Sequence, residues 1–395
     1  MVRMTIRDVG YTPGQLPTGT KNSILDVKGV HVGQATVGED GSSVRSGVTV
    51  ILPRAPDDIS IPCYAGMHTL NGNGEVSGSY QIKDWGFTNM PIALTNSTSF
   101  GTVFQQIWEW ILKNAREKNT SLETMSHNYG TPIVAETADW WLNDVHAAGL
   151  KPETVQEAFT NALTQKEVME SQYGGGAGMT CHHFPGGTGT SSRIVNGGEG
   201  SEGAEFTVGV LCQTNYGHVP DLQIGGVPIG KLILKEKGHP VHMPDSTDEK
   251  VTTGGKAEDG SIVIILITDA PMLPHQLARL ARHCAVGLAQ VGGHGVGCNF
   301  SGDIVLALST GNTPNERVLN APKNGISVIE SNDIKIIKNE SMDTMFRAAS
   351  EATEESILNS LVAGRAGRTG YKGIKLDGFP VDLVRKLLQK YRVVV

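Results

Sequence analysis

The sequence predicts a layered α/β protein, on three observations. Short, near-continuous apolar runs rich in Val and Ile recur along the 395 residues, the pattern of strands buried on both faces. Segments with apolar residues three and four apart follow several of these runs, so helices are expected to cover the strands from outside. Glycine is in excess, at 49 residues against a usual share of ~7%. It shows no G-X-Y period or low-complexity tract, so the excess signals tight turns and close backbone approaches.

Taken in chain order, the predicted buried strands are residues 48–52, 90–94, 206–212, 261–268 and 304–308. The first predicted helix spans 102–115, with Val103, Ile107, Trp110 and Ile111 on one face. A second spans 274–290, where Leu277, Leu280, Ala281, Cys284 and Leu288 share a face and Pro274 suits the first turn. Residues 342–362 read as the longest amphipathic helix, and 380–391 close the chain with Val384, Leu387 and Leu388. No internal repeat period is visible.

Composition narrows the function. The net charge is −7, with acids and bases interspersed and no basic run, so neither nucleic acid nor an anionic membrane is an expected partner. The first ten residues lack the apolar core of a secretory signal, and no run reaches membrane-spanning length. Five cysteines, Cys63, Cys181, Cys212, Cys284 and Cys298, form no Cys-x-x-Cys and read as reduced thiols. The expected location is cytoplasmic.

One peptide bond divides the chain by character. Residues 245–260 are polar and without apolar period; Ser261 then opens the run Ser-Ile-Val-Ile-Ile-Leu-Ile-Thr268. A break at Gly260–Ser261 would leave a hydroxyl and an α-amine on one residue at the mouth of a central strand. That is the requirement for an N-terminal nucleophile, whose amine serves as base for its own hydroxyl. The alternative is a loop meeting a strand that happens to begin with serine. The linker separates 1–260 from 261–395, yet it is no domain boundary, because the strand after it is too apolar to lie outside a shared core.

Three further segments bear on Ser261. Asn215 sits at the end of a predicted strand, where its amide donates to an oxyanion without carrying charge; otherwise Asn-Tyr-Gly217 merely ends the strand. Ser301 and Asp303 stand ahead of another buried strand, as a hydroxyl and carboxylate able to orient a neighbouring nucleophile; otherwise Asp303 bonds its own turn. Glu136 ends an apolar run before Asp139-Trp-Trp141, where an acid among aromatics holds a substrate ammonium; otherwise it is a helix-start carboxylate. Cys181-His-His183 is too compact for zinc-finger spacing, and no metal or cofactor is expected. Gly174-Gly-Gly176 and Gly186-Gly-Thr-Gly-Thr190 look like phosphate loops but lack the following Lys. His294 in Gly292-Gly-His-Gly295 offers a base, though a glycine-rich helix end explains it equally.

Together these segments resemble the self-processing L-aminopeptidase/D-esterase-amidases and β-peptidyl aminopeptidases. The resemblance runs through Asp26-Val-Lys-Gly-Val-His-Val-Gly33, Ser46-Gly-Val-Thr-Val-Ile-Leu-Pro53, Leu70-Asn-Gly-Asn-Gly-Glu-Val-Ser-Gly78 and Ala93-Leu-Thr-Asn96. It continues through Val134-Ala-Glu-Thr137, Trp141-Leu-Asn-Asp144, Gln213-Thr-Asn-Tyr-Gly217, Gly225-Gly-Val-Pro-Ile-Gly230, Gly260-Ser261, Thr268-Asp-Ala-Pro271 and Ser301-Gly-Asp303. It implies a four-layer α/β/β/α sandwich similar to ornithine acetyltransferase, in which a precursor cuts itself into chains 1–260 and 261–395 that share one core. It also implies roles: Ser261 as nucleophile, Gly260 across the cut, Asn215 stabilising the oxyanion, Ser301 and Asp303 assisting, and Glu136 receiving the substrate's amino group. The expected substrate is a short peptide, amide or ester with a free N-terminus, and the expected assembly a tetramer of processed heterodimers. Acyl transfer on the same scaffold and a catalytically weak binding protein are the rival readings.

The chain departs from this pattern at Ala138 and Trp140. Relatives commonly read Glu-Thr-Tyr-Asp-Gly-Trp where this sequence reads Glu136-Thr-Ala-Asp-Trp-Trp141. Ala138 replaces a phenol, and Trp140 is expected to fill the vacated space.

Overall fold

The computed structural model describes residues 3–121, 129–147, 149–239, 260–292, 298–312, 329, 331 and 333–392. Most of the polar linker 245–260, and His294, lie outside the described residues. The strands are β1 (His31–Val37), β2 (Ser46–Leu52), β3 (Cys63–Gly72), β4 (Phe87–Thr88), β5 (Ile92–Asn96), β6 (Ile133–Thr137), β7 (Thr180–Cys181), β8 (Phe184–Pro185), β9 (Gly187–Asn196), β10 (Glu205–Asn215), β11 (Ser261–Thr268), β12 (Gly302–Ser309), β13 (Arg368–Thr369) and β14 (Lys375–Leu376). The helices are α1 (Ser79–Trp85), α2 (Phe100–Glu117), α3 (Pro152–Ala162), α4 (Ile229–Glu236), α5 (Pro274–Gly292), α6 (Met342–Ala363) and α7 (Val381–Tyr391).

The β-branched run 261–268 is a strand buried along its whole length, and its two faces explain the layers. Val263, Ile265 and Ile267 point into a core shared with Val32, Ile51, Ile92 and Leu94, which belong to a second sheet. Ile262, Ile264 and Leu266 point the other way, into a core with Leu277 and Leu280 of α5 and Ala348 and Ala352 of α6. Side chains alternate across a strand, so a run apolar at every position needs a partner on each side. The six-stranded sheet has order β4-β3-β12-β11-β10-β9 and the four-stranded sheet order β1-β2-β5-β6. On the outer face of the smaller sheet, Val103 and Ile107 of α2 and Phe159 of α3 pack against Val50, Ala93 and Val134. The result is the four-layer α/β/β/α sandwich.

Within that frame the elements differ from expectation in instructive ways. The strand expected at 90–94 is Ile92–Asn96, shifted because Pro91 cannot donate to a ladder. The chain's polar, glycine-rich segment 187–196 is strand β9, buried over most of its length, and no phosphate loop. A Cβ at Gly187 would lie 2.3 Å from the Gly176 carbonyl oxygen, so glycine there serves close backbone approach. Helix α6 is not amphipathic. It is buried almost all round because the chain's N-terminal segment crosses it. Arg7 pairs with Glu355 at 2.6 Å, the Tyr11 hydroxyl donates to Glu354 at 2.5 Å, and the fully buried Arg193 bridges Glu351 (3.1 Å) and Glu355 (2.8 Å). Among the described residues no helix is long and apolar enough to cross a membrane.

Candidate active site

Strand register brings the predicted residues together. β10 runs antiparallel to β11 with Asn215 opposite Ser261, and β12 runs parallel on the other side with Gly302 opposite Ser261. Each residue is the first or last of its strand, so all three stand at one edge of the sheet. Ser261 is 8% exposed, and its Oγ accepts the Gly302 backbone N–H at 3.2 Å. The Ser301 hydroxyl donates to Asp303 Oδ1 at 2.6 Å. The hydroxyl–acid pair is therefore bonded to itself, and the amide between its two members reaches Ser261.

The Asn215 amide is held at both ends. Its Oδ1 accepts the Thr180 N–H at 3.0 Å and its Nδ2 donates to the Ala138 carbonyl at 2.6 Å. These partners fix which end is nitrogen, and an amide nitrogen carries a second N–H. Glu136 lies in β6 and begins no helix. Its Oε1 accepts the Glu75 N–H at 2.9 Å, and its Oε2 accepts the Ser97 hydroxyl. It faces the same edge: a Cβ built at Gly74 would sit 3.5 Å from Glu136 Oε1 and 3.4 Å from Gly302 Cα.

Asp139 joins this group, and the sequence reading passed it over. It is 1% exposed, and its Oδ2 accepts from Asn96 Nδ2 at 2.7 Å and Asn143 Nδ2 at 2.8 Å. Burial pushes its carboxyl up to about 7 against those two hydrogen bonds, with the neighbouring Glu136 charge adding to the rise. The only sequence signal is the four-residue spacing of Asp139 and Asn143.

The other segments take structural roles. His182 and His183 form the turn between β7 and β8, both at positive φ (48° and 63°), and burial pushes each imidazole down to about 4. Among the described residues no group of His, Cys, Asp and Glu is placed to hold a metal. Gly174–Gly176 is a buried 3-10 turn packed against Thr49 and Gln213, with no phosphate-loop geometry. Trp140 does not fill the space left at Ala138: it is 62% exposed. Its neighbour Trp141 turns instead toward His183, with ring centroids 5.7 Å apart.

Residues 22–374 match peptidase family S58. The chain belongs to that family. It is 37% identical over 393 residues to the β-peptidyl aminopeptidase BapA of Sphingosinicella microcystinivorans, covering 98% of this chain and 92% of the relative. A Burkholderia sp. β-aminopeptidase superposes with a TM-score of 0.80 at 37% identity, over 99% of this chain and 100% of that one. The L-aminopeptidase D-Ala-esterase/amidase of Ochrobactrum anthropi, described as a prototype serine aminopeptidase with a variant Ntn-hydrolase fold, superposes with a TM-score of 0.82. It is 33% identical, over 98% of each chain. This S58 chain is a serine aminopeptidase with the same fold, and the acyltransferase and binding-protein readings are not favoured.

Proposed function

We propose that this S58 peptidase matures by cutting its own Gly260–Ser261 bond and then uses Ser261 to release N-terminal residues. The observation that carries the reading is the placement of Ser261 at the first position of a central buried strand, between Asn215 and Gly302. In maturation, Ser261 Oγ attacks the Gly260 carbonyl carbon and its proton passes to the amide nitrogen. The C–N bond breaks, an ester forms, and water hydrolyses it. The products are the carboxylate of Gly260 and the free α-amine of Ser261, on chains 1–260 and 261–395.

In turnover the α-amine takes the hydroxyl proton as Oγ attacks the substrate carbonyl. The second N–H of Asn215 stabilises the oxyanion. Ser301 and Asp303, through the intervening Gly302 amide, orient the nucleophile. Glu136, already held by Glu75 and Ser97, pairs with the substrate ammonium. The substrates are short peptides, amides or esters with a free N-terminal α- or β-residue, the latter suggested by the β-peptidyl relatives. Two supporting readings follow the family and the cysteines: a tetramer of processed heterodimers, and a reducing, cytoplasmic setting for five cysteines that form no disulfide.

Intact mass of the purified protein tests the proposal. The parent is expected as two chains and Ser261→Ala as one. A split at 260/261 in Ser261→Ala removes self-processing by this serine.

A further inference from the structure

We infer that Asp139 is a positioning residue for this peptidase, setting the direction of the Asn215 amide through the peptide plane that links residues 138 and 139. The inference rests on the proposed role of Asn215 at the oxyanion.

The Ala138 carbonyl that receives Asn215 Nδ2 shares one rigid plane with the Asp139 nitrogen, because the peptide bond does not rotate freely. Whatever fixes Asp139 therefore aims that carbonyl. Residues 138–143 leave β6 without regular structure, so no ladder fixes them. The Asp139 side chain does so instead. Its Oδ2 is bonded at once to Asn96, the last residue of β5, and to Asn143 at the far end of the turn. The Asp139 carbonyl accepts the Asn143 N–H at 3.0 Å, and Asn143 Oδ1 accepts the Arg45 N–H at 2.8 Å. Asn96 is itself held, with its Oδ1 taking the Ser99 N–H at 3.1 Å. Both anchors are thus pinned to the backbone before they touch the acid.

The same strand end serves Glu136: Asn96 holds Asp139, and the next residue, Ser97, donates to Glu136. One turn thereby places the oxyanion amide and the ammonium carboxylate relative to each other. The acid itself touches neither substrate nor Ser261, so its influence runs through Asn215.

A double-mutant cycle tests this, with kcat and KM measured on alanine p-nitroanilide and self-cleavage followed by intact mass. Asn215→Ala is expected to lower kcat by about a hundredfold or more, the usual loss for one oxyanion donor. Asp139→Ala should lower kcat by roughly tenfold with KM changed by less than about threefold, since a misdirected donor fails only when charge develops. Asp139→Asn, whose amide oxygen can accept both donors, should restore kcat to within about threefold of the parent. In the Asn215→Ala background, Asp139→Ala should cost almost nothing, because the group it acts through is gone. A parental kcat in Asn215→Ala overturns the reading of Asn215 itself. A large loss in Asn215→Ala combined with parental kcat in Asp139→Ala, or equal Asp139→Ala losses in both backgrounds, overturns the role of Asp139 alone. Should Asp139→Ala fail to fold, Asn143→Ala removes one of the two donors and passes through the same cycle.

Discussion

The backbone N–H of Gly302 donates to the Ser261 hydroxyl across 3.2 Å, binding the proposed nucleophile to the first residue of β12, between Ser301 and Asp303. A Cβ at Gly302 would lie 2.5 Å from the Asn73 carbonyl oxygen and 3.0 Å from Gly74 Cα. Both are backbone atoms that cannot swing aside. At Gly260 the same test gives 3.0 Å and 3.1 Å to Tyr216, a milder crowding. Gly302→Ala is therefore expected to slow self-cleavage more than Gly260→Ala does, followed by intact mass over time after purification. The reverse order would count against the Gly302 contact as an orienting bond.

Glu136 sets the second expectation. Acetylating the substrate's amine removes the positive partner of a half-buried carboxylate that the fold holds in place with Glu75 and Ser97. Hydrogen bonds to charged groups are worth about 1.5–3 kcal/mol, so kcat/KM should fall at least roughly tenfold for the acetylated peptide. Glu136→Gln should lose turnover by a similar factor while still cutting itself. Equal hydrolysis of free and acetylated peptides would refute this role.

Ala138 marks the departure from the relatives' phenol. Trp140 is largely in solvent, so nothing from that residue blocks a larger side chain. Ala138→Tyr is expected to raise kcat, since an added donor acts only as charge develops on the carbonyl oxygen. Adding Trp140→Gly should bring no further gain. Recovery only in the double variant would mean that the two positions compete for space.

The buried charges on α6 tie the two proposed chains together. Arg193, before the cut, is fully buried against Glu351 and Glu355, after it. Arg193→Ala removes the fully buried cation between Glu351 and Glu355, leaving Glu355 with Arg7, and should destabilise by ~3–5 kcal/mol, read from denaturant unfolding. Replacing Arg193, Glu351 and Glu355 together with apolar residues of similar volume should cost much less.

The histidine pair His182 and His183 and the carboxyl of Asp139 give stability opposite dependences on pH. His182 and His183 are pushed by burial down to about 4 from an ordinary 6.5. Their neutral forms are favoured in the fold, so stability is full above 6.5 and falls as pH drops toward 4. His183→Asn, which tolerates the positive φ of this turn, should flatten that acid loss. Asp139 is raised from 3.8 to about 7, so its contribution is full below 3.8 and is lost as pH rises through 7. Melting temperature against pH for Asp139→Asn should converge on the parent in acid and exceed it near pH 8. A constant offset across that range would refute the linkage.

Much of this protein was legible in local pattern. The run 261–268 announced a strand buried on both faces, because residues 262–267 are all apolar and most are β-branched. The three-and-four spacing announced α2, α5 and α6, and strand ends marked Asn215, Ser261 and Ser301–Asp303. Other features were hidden for reasons that local pattern cannot encode. β9 has a polar, glycine-rich sequence that marks no strand, yet Thr190 and Ser191 are buried because their hydroxyls reach the Val210 and Ala352 carbonyls. α6 reads as amphipathic, yet its glutamates are inside because Arg7, Tyr11 and Arg193, far away in sequence, come to meet them.

The sequence by itself thus determined where the most apolar strands and the longest helices lie, through the hydrophobic period each must bury. Only the tertiary structure decided that Asn215 and Gly302 flank Ser261 and that Asp139 aims the Ala138 carbonyl. Those relations depend on strand register and on buried hydrogen bonds between distant segments, where one polar group's burial is tolerable only once another has arrived.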